Sequence, residues 1–271
     1  MKSLRVIAIA IGMAMTAAAG PIAYSISSNG NDHLYQIDLA TGVAIDLGAM
    51  SFGDAEGLEF ANGTLYGIGG STNELWNLTT APGTLIGSTG TRAGLDAGLG
   101  YNPVNGTMYN LNGSNGQTGL YTVNLSTGAT TLVGTTSAFG DNLAIDGQGN
   151  AYAVDGVFAD SVYSVNLSTG ALSLIGGLGL GNVSVQFGTD FDGQGTLWAL
   201  DSNGQIYTIN TGTGAATFVA QVRLGSVTGT TLSGFEGLAI AEESQGEIPE
   251  PGTYLSVIGG LAALAVLRRR R

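Results

Sequence analysis

Apolar and polar residues alternate along much of this chain in short bursts. From Val162 to Leu167 the order is V-Y-S-V-N-L, which puts Val162, Ser164 and Asn166 on one side of an extended strand and Tyr163, Val165 and Leu167 on the other. The bursts are punctuated by turn formers. Thr41-Gly42, Pro82-Gly83, Thr127-Gly128, Thr169-Gly170 and Thr213-Gly214 each follow one burst and precede the next, and glycine supplies the positive φ that tight hairpins need. The next strand ends in a second marker: Leu47-Gly48, Ile86-Gly87, Val133-Gly134, Ile175-Gly176 and Val219-Ala220. The segment between Pro82 and Gly87 is short, which predicts a trimmed hairpin there.

The pattern is a repeat. The fifteen residues LYTVNLSTGATTLVG, from Leu120, return as VYSVNLSTGALSLIG, from Val162, 42 residues later. Tyr24, Tyr66, Tyr109, Tyr152 and Trp198 form one aromatic series, and Tyr35, Trp76, Tyr121, Tyr163 and Tyr207 form another, with spacings of 41 to 46 residues. Each unit reads as four short strands. In the unit around Tyr152 these are Asn142–Ile145, Ala151–Val154, Val162–Leu167 and Leu172–Gly176, with the turn DGQGN leading into the second, as DGQGT does from Asp192.

Four-stranded units at this period predict an all-β fold, a five-bladed β-propeller. The two ends predict how it closes. The last unit offers a first strand, EGLAIA (Glu236–Ala241), and the N-terminal part supplies the missing three, IAYSI, HLYQIDL and AIDLG. One blade built from both ends hides the open edges of the ring without a disulfide. The unit NLAIDGQGNAYAVD resembles blades of NHL-type and gluconolactonase-type propellers, a resemblance that implies fold and no reaction.

Composition narrows the chemistry. The 271 residues hold 46 glycines and no cysteine, so disulfides and thiolate metal sites are absent. All 20 acidic residues lie between Asp32 and Glu250, where only Arg92 and Arg223 oppose them. Such a surface repels phosphate backbones, which excludes nucleic-acid partners. Catalysis by a His pair, a Cys nucleophile or a Schiff-base lysine is also excluded from the body, because His33 is the sole histidine and Lys2 the sole lysine. GLGLGN (Gly177–Asn182) precedes no helix and is not a phosphate loop.

Residues 1–19, MKSLRVIAIAIGMAMTAAA, have a basic start, a short apolar stretch and an A-x-A end, which predicts a secretory signal peptide cut by signal peptidase. The body is expected over 20–245. Residues 246–271 carry Pro249-Glu250-Pro251, an apolar run from Tyr254 to Leu267 too short for a stable span, and Arg268, Arg269, Arg270 and Arg271. This order of elements resembles the PEP-CTERM sorting signal of Gram-negative bacteria. The resemblance implies a short transmembrane sorting helix, recognition by an exosortase-type membrane protease, and export to the cell envelope, surface or exopolysaccharide matrix. A permanent tail anchor is the alternative.

Acidic residues gather around the first strands, which line the channel of a propeller. Glu56, Asp141, Asp190 and Glu236 are the candidate ligands of a channel Ca²⁺, an ion that takes six to eight oxygens. The competing reading makes them solubilising groups that accept turn N–H bonds. Two function classes follow. One is a non-enzymatic binding or structural module that holds polysaccharide or a surface protein. The other is a Ca²⁺-dependent, lactonase-like hydrolase built on those carboxylates. The Asn-x-Ser/Thr triplets at Asn77, Asn124, Asn166 and Asn182 read as repeated turn chemistry.

Overall fold

The computed structural model describes residues 20–27, 32–51, 53–90, 96–114, 117–136, 138, 140, 142–181 and 186–241. The expected signal peptide, PEP box, apolar run and arginine cluster lie outside these residues, as does Asp141. In chain order the strands begin with β1 (Ile22–Ser27), β2 (His33–Asp38) and β3 (Val43–Ala49). Then come β4 (Ala55–Ala61), β5 (Thr64–Gly69), β6 (Glu74–Asn77) and β7 (Thr84–Ser88). Next are β8 (Asp96–Asn102), β9 (Thr107–Ser114), β10 (Gln117–Val123) and β11 (Thr130–Thr136). The fourth group is β12 (Ala144–Ile145), β13 (Ala151–Asp155), β14 (Ser161–Val165) and β15 (Leu172–Gly177). The fifth is β16 (Phe187–Phe191), β17 (Leu197–Asp201), β18 (Gln205–Ile209) and β19 (Ala216–Gln221), followed by β20 (Arg223–Leu224) and β21 (Phe235–Ile240). No helix occurs among the described residues.

These strands form five sheets, the blades of a propeller. Blades 2 to 5 are β4–β7, β8–β11, β12–β15 and β16–β19. Blade 1 has the order β20-β3-β2-β1-β21 and is the closure expected from the sequence. Its innermost strand, β21, pairs antiparallel with β1, so that Ala23 faces Ile240 and Ser27 faces Phe235. Two hydroxyls lock the seam: Ser25 Oγ donates to Gly237 O at 2.6 Å and Ser27 Oγ to Ser233 O at 2.7 Å. The short β20 adds a fifth, parallel strand outside β3, an addition the repeat pattern does not contain.

Five apolar clusters hold the ring together, one between each pair of neighbouring blades. Tyr109, Leu111 and Leu120 of blade 3 meet Leu143, Ile145 and Val165 of blade 4 in one of them. Val162, also of blade 4, packs on the other side, with Phe187 and Tyr207 of blade 5. Apolar residues on both faces of a blade's inner strands are therefore buried, and the alternation along V-Y-S-V-N-L sends Val162 to one neighbour and Val165 to the other.

The outer strands explain the Leu-Gly marker. In every blade the register slips at the aromatic residue of the third strand: Tyr121 faces Leu132 while Leu120 faces Gly134, and Val133 is the extra residue of a β-bulge. The same slip occurs at Tyr35, Trp76, Tyr163 and Tyr207. The bulge turns Val133 toward the interface with blade 4. The glycine beside it makes room for the Thr-Gly turn of the next blade, since a Cβ on Gly134 would lie 1.9 Å from Thr169 O. Gly87 and Gly176 stand in the same relation to Thr127 and Thr213. The two markers are the two halves of one contact between blades.

Blade 4 departs from expectation. Its first strand was expected over Asn142–Ile145, but only Ala144–Ile145 pair as a strand. The Asn142 side chain continues the ladder: its Nδ2 donates to Val154 O at 2.8 Å, and its Oδ1 accepts from Val154 N at 3.1 Å. It also accepts from Thr189 Oγ1 of blade 5 at 2.8 Å. Replacing it strands a buried N–H and C=O, which costs about 1–3 kcal/mol per group. Asn142→Ala is expected to lower the melting temperature by roughly 10 °C, from a loss of about 3 kcal/mol in a domain of this size, as read by thermal circular dichroism.

Candidate functional site

Five first strands converge on the axis, and four of them do so through glycine. A Cβ on Gly188 would lie 2.2 Å from Gly237 C, one on Gly237 2.5 Å from Leu58 Cδ1, one on Gly57 2.3 Å from Ala97 O, and one on Gly98 2.3 Å from Asn142 Cα. The ring therefore runs Gly188, Gly237, Gly57, Gly98, Asn142, and the Thr189–Asn142 bond completes it. On one side of it, Gln186 Nε2 of blade 5 reaches across to Asp96 Oδ1 of blade 3 at 2.8 Å. The axis is packed and offers two separate faces.

A strand at the axis has backbone groups with no further strand to bond, and buried N–H and C=O groups must find partners. Asn110 Nδ2 donates to Gly98 O at 2.9 Å. Two carboxylates take N–H groups on the opposite side of the ring. Glu59 lies two residues after Gly57; its Oε1 accepts from Phe60 N at 2.7 Å and its Oε2 from Tyr101 N of blade 3 at 3.1 Å. Asp190 lies two residues after Gly188; its Oδ1 accepts from Phe191 N at 2.7 Å and its Oδ2 from Ile240 N of blade 1 at 2.6 Å. The motifs G-L-E-F and G-T-D-F thus occupy one register in blades 2 and 5. Both acids are buried, at 6% and 5% exposure.

Above them lies a concavity of about 430 Å³, lined by Glu59, Phe60, Tyr101, Ile145, Gln148, Asp190, Phe191, Asp192, Gln194 and Ile240 among others. That volume is in the range of small-molecule sites. Its rim is the DGQGN and DGQGT loops. Asp146 Oδ1 accepts from Gln148 N and Asn150 N, and its Oδ2 from Asn150 Nδ2. In the second loop Thr196 replaces the asparagine, and Trp198 Nε1 donates to Asp192 Oδ2 at 2.8 Å instead. The first aromatic series therefore supplies a support for this rim.

Of the sequence-expected Ca²⁺ ligands, Glu56 and Glu236 stand one residue before their ring glycines, on the Gln186 side, and are half-buried. Asp190 stands two residues after its own, on the side of the concavity. The glycine ring lies between the pair and Asp190. No group of three His, Cys, Asp or Glu side chains with metal-binding geometry occurs among the described residues. Glu59, which the expected ligand set leaves out, is the positional partner of Asp190; the shared offset from glycine was the available signal. His33 opens β2, the middle strand of blade 1, with Nδ1 2.9 Å from Asp46.

Asn124 Oδ1 accepts from Ser126 N and Oγ, and Asn166 Oδ1 from Ser168 N and Oγ, so both triplets are turn caps. Burial raises the Asp96 and Asp201 carboxyls above their ordinary range, and the neighbouring Asp54 charge pushes Asp96 further. Asp32 is raised by burial and by Asp54 as well. A raised acid holds its proton longer folded than unfolded, so stability grows as pH falls through the folded values and the gain is complete below the ordinary one. The melting temperature is expected to rise between neutrality and about pH 4.5, in the window that begins above the ordinary Asp pKa of about 3.9. Asp96→Asn should flatten that rise.

No protein-family model matches the chain, and no curated protein matches it in sequence. Solved structures do match in shape. A chain of the nidogen/laminin complex aligns at TM-score 0.53 and 13% identity, covering 82% of each chain. A protein of unknown function from Bacteroides thetaiotaomicron aligns at TM-score 0.56 and 15% identity, covering 84% of this chain and 68% of that one. The virginiamycin B lyase of Staphylococcus aureus aligns at 0.46 and 12%, covering 76% and 71%. At these identities the likeness is one of fold alone.

Proposed function

We propose that this protein is an exported, non-enzymatic binding module of the bacterial surface or exopolysaccharide matrix, with a saccharide held in the concavity over Glu59 and Asp190. The observation that carries the reading is the lining itself. Phe60, Tyr101 and Phe191 offer flat apolar surface, Gln148 and Gln194 offer amides, and the two buried carboxylates are each fixed by two backbone N–H groups. A sugar ring presents C–H faces to the first kind of group and hydroxyls to the others. The blades hold the carboxylates and the packed rings in place, so little ordering of these groups is left to occur on binding.

The address residues support export. A signal-peptide pattern over 1–19 and the PEP box, apolar run and arginines over 246–271 bracket the propeller. In this reading signal peptidase removes the first and an exosortase-type protease cuts near Pro249-Glu250-Pro251, releasing the propeller to the matrix.

Two measurements test the proposal. Mass spectrometry of the protein from its native host is expected to find both ends trimmed; an intact tail would leave a membrane anchor in its place. Tyr101→Ala is expected to weaken retention on the host's matrix polysaccharide severalfold, up to about tenfold, since loss of one stacking aromatic is worth about 0.5–1.5 kcal/mol beyond its buried area. Unchanged retention would place the ligand elsewhere.

A further inference from the structure

The geometry points to a positively charged ligand for this concavity: a hexosamine whose amine is free and protonated. The inference rests on the binding reading above and adds the charge of the sugar. Glu59, Asp190 and Asp192 are among the lining residues, and no Lys, Arg or His is. The acids are not a loose surface group. Glu59 and Asp190 are almost fully buried, and each is clamped between its own strand and the first strand of the next blade. Asp192 is held by Gln194 N, Thr196 N and the Trp198 indole.

Aromatic rings complete the selection. Phe60, Tyr101 and Phe191 line the same space, and a ring face attracts an ammonium group within about 6 Å of its centroid. Carboxylates and ring faces that share one concavity favour a cation over a neutral or anionic ligand, and negative potential focused in a cleft raises the local cation concentration. The charge is confined to two blades. At the register of Glu59 and Asp190 the other blades carry Gly100, Ala144 and Ala239. The ammonium therefore sits toward Glu59 and Asp190, the sugar's C–H face toward the rings, and its hydroxyls toward Gln148 and Gln194. An N-acetylated sugar has no charge to place there.

The chain carries its own reporter, because Trp198 bonds to the lining residue Asp192. In the full-length protein bearing Trp76→Phe, Trp198 is the one remaining tryptophan. Titration with a glucosamine tetramer and with its fully N-acetylated counterpart, at mildly acidic pH, reads both ligands by fluorescence and calorimetry. The free-amine tetramer is expected to bind at least tenfold more tightly and to weaken as salt is raised. Glu59→Gln and Asp190→Asn are expected to abolish the preference. Because those changes disturb backbone bonds, Gln148→Lys and Gln194→Lys serve as independent probes: both residues are exposed, and an added cation there should weaken the free-amine ligand at least tenfold with the melting temperature unchanged. Equal or tighter binding of the acetylated tetramer would overturn the charge inference alone, leaving the saccharide reading to its own Tyr101 test. Binding of the free-amine tetramer that neither lysine variant weakens would overturn it too, as attraction to the acidic surface at large. So would binding of neither tetramer.

Discussion

A chain ending at Gly234 is expected to show no cooperative thermal transition. The lost residues include β21, whose Phe235 and Leu238 are 1% exposed and Ala239 fully buried. Without it the apolar cluster shared by blades 5 and 1 loses Phe235, Leu238 and Ile240 together. Ser25 loses its acceptor Gly237 O, and Asp190 loses the N–H of Ile240. Burying a Leu, Ile or Phe contributes about 1.5–3 kcal/mol each, so three such side chains alone approach the 5–15 kcal/mol that holds a typical domain. The expected record is a flat circular dichroism melt and rapid proteolysis. A sharp transition within a few degrees of the full-length protein would show that the ring stands without its seam.

The second large effect is expected from Gly134→Ala. The added methyl would sit 1.9 Å from Thr169 O, a backbone atom of a turn that cannot rotate away. Blade 3 and the turn of blade 4 must part, opening the cluster around Val133 and Leu172. Overpacking costs about 1–3 kcal/mol where side chains can yield, and more where they cannot; a loss of about 4 kcal/mol is expected here. Gly147→Ala is the control, since a Cβ there meets nothing within 4 Å. Urea denaturation should separate the pair, with the control within about 0.5 kcal/mol of the parent. Equal midpoints for the two variants would remove the bulge-to-turn contact from the account of stability.

The blades were legible because one four-stranded unit recurs five times, once split between the two ends, with Tyr or Trp at matching places in the second and third strands. Closure was legible because the missing strands of the last unit stand at the start of the chain. The first strands were harder to read. Asn142 substitutes a side-chain amide for strand pairing, and nothing in DNLAI announces it. The concavity was legible only in fragments. Glu59 bonds to Tyr101, 42 residues on, and Asp190 to Ile240, 50 residues on, so their shared register appears only when the ring is drawn. Conversely, the Thr-Gly and Leu-Gly markers were visible at once, yet their pairing across blades needed the bulge that displaces Val133 and its equivalents.

The seam in blade 1 also sets the order of events during biosynthesis. Among the described strands β1 is made first and β21 last, and Ser25 finds its partner Gly237 at a separation of 212 residues. Until Phe235–Ile240 have been synthesised, the opening strands have no inner neighbour, whereas blades 2 to 5 pair through nearby hairpins. Such distant contacts slow folding. The nascent body consequently reaches its final register only after Phe235–Ile240 have been made, and until then blade 1 stays open on its inner side.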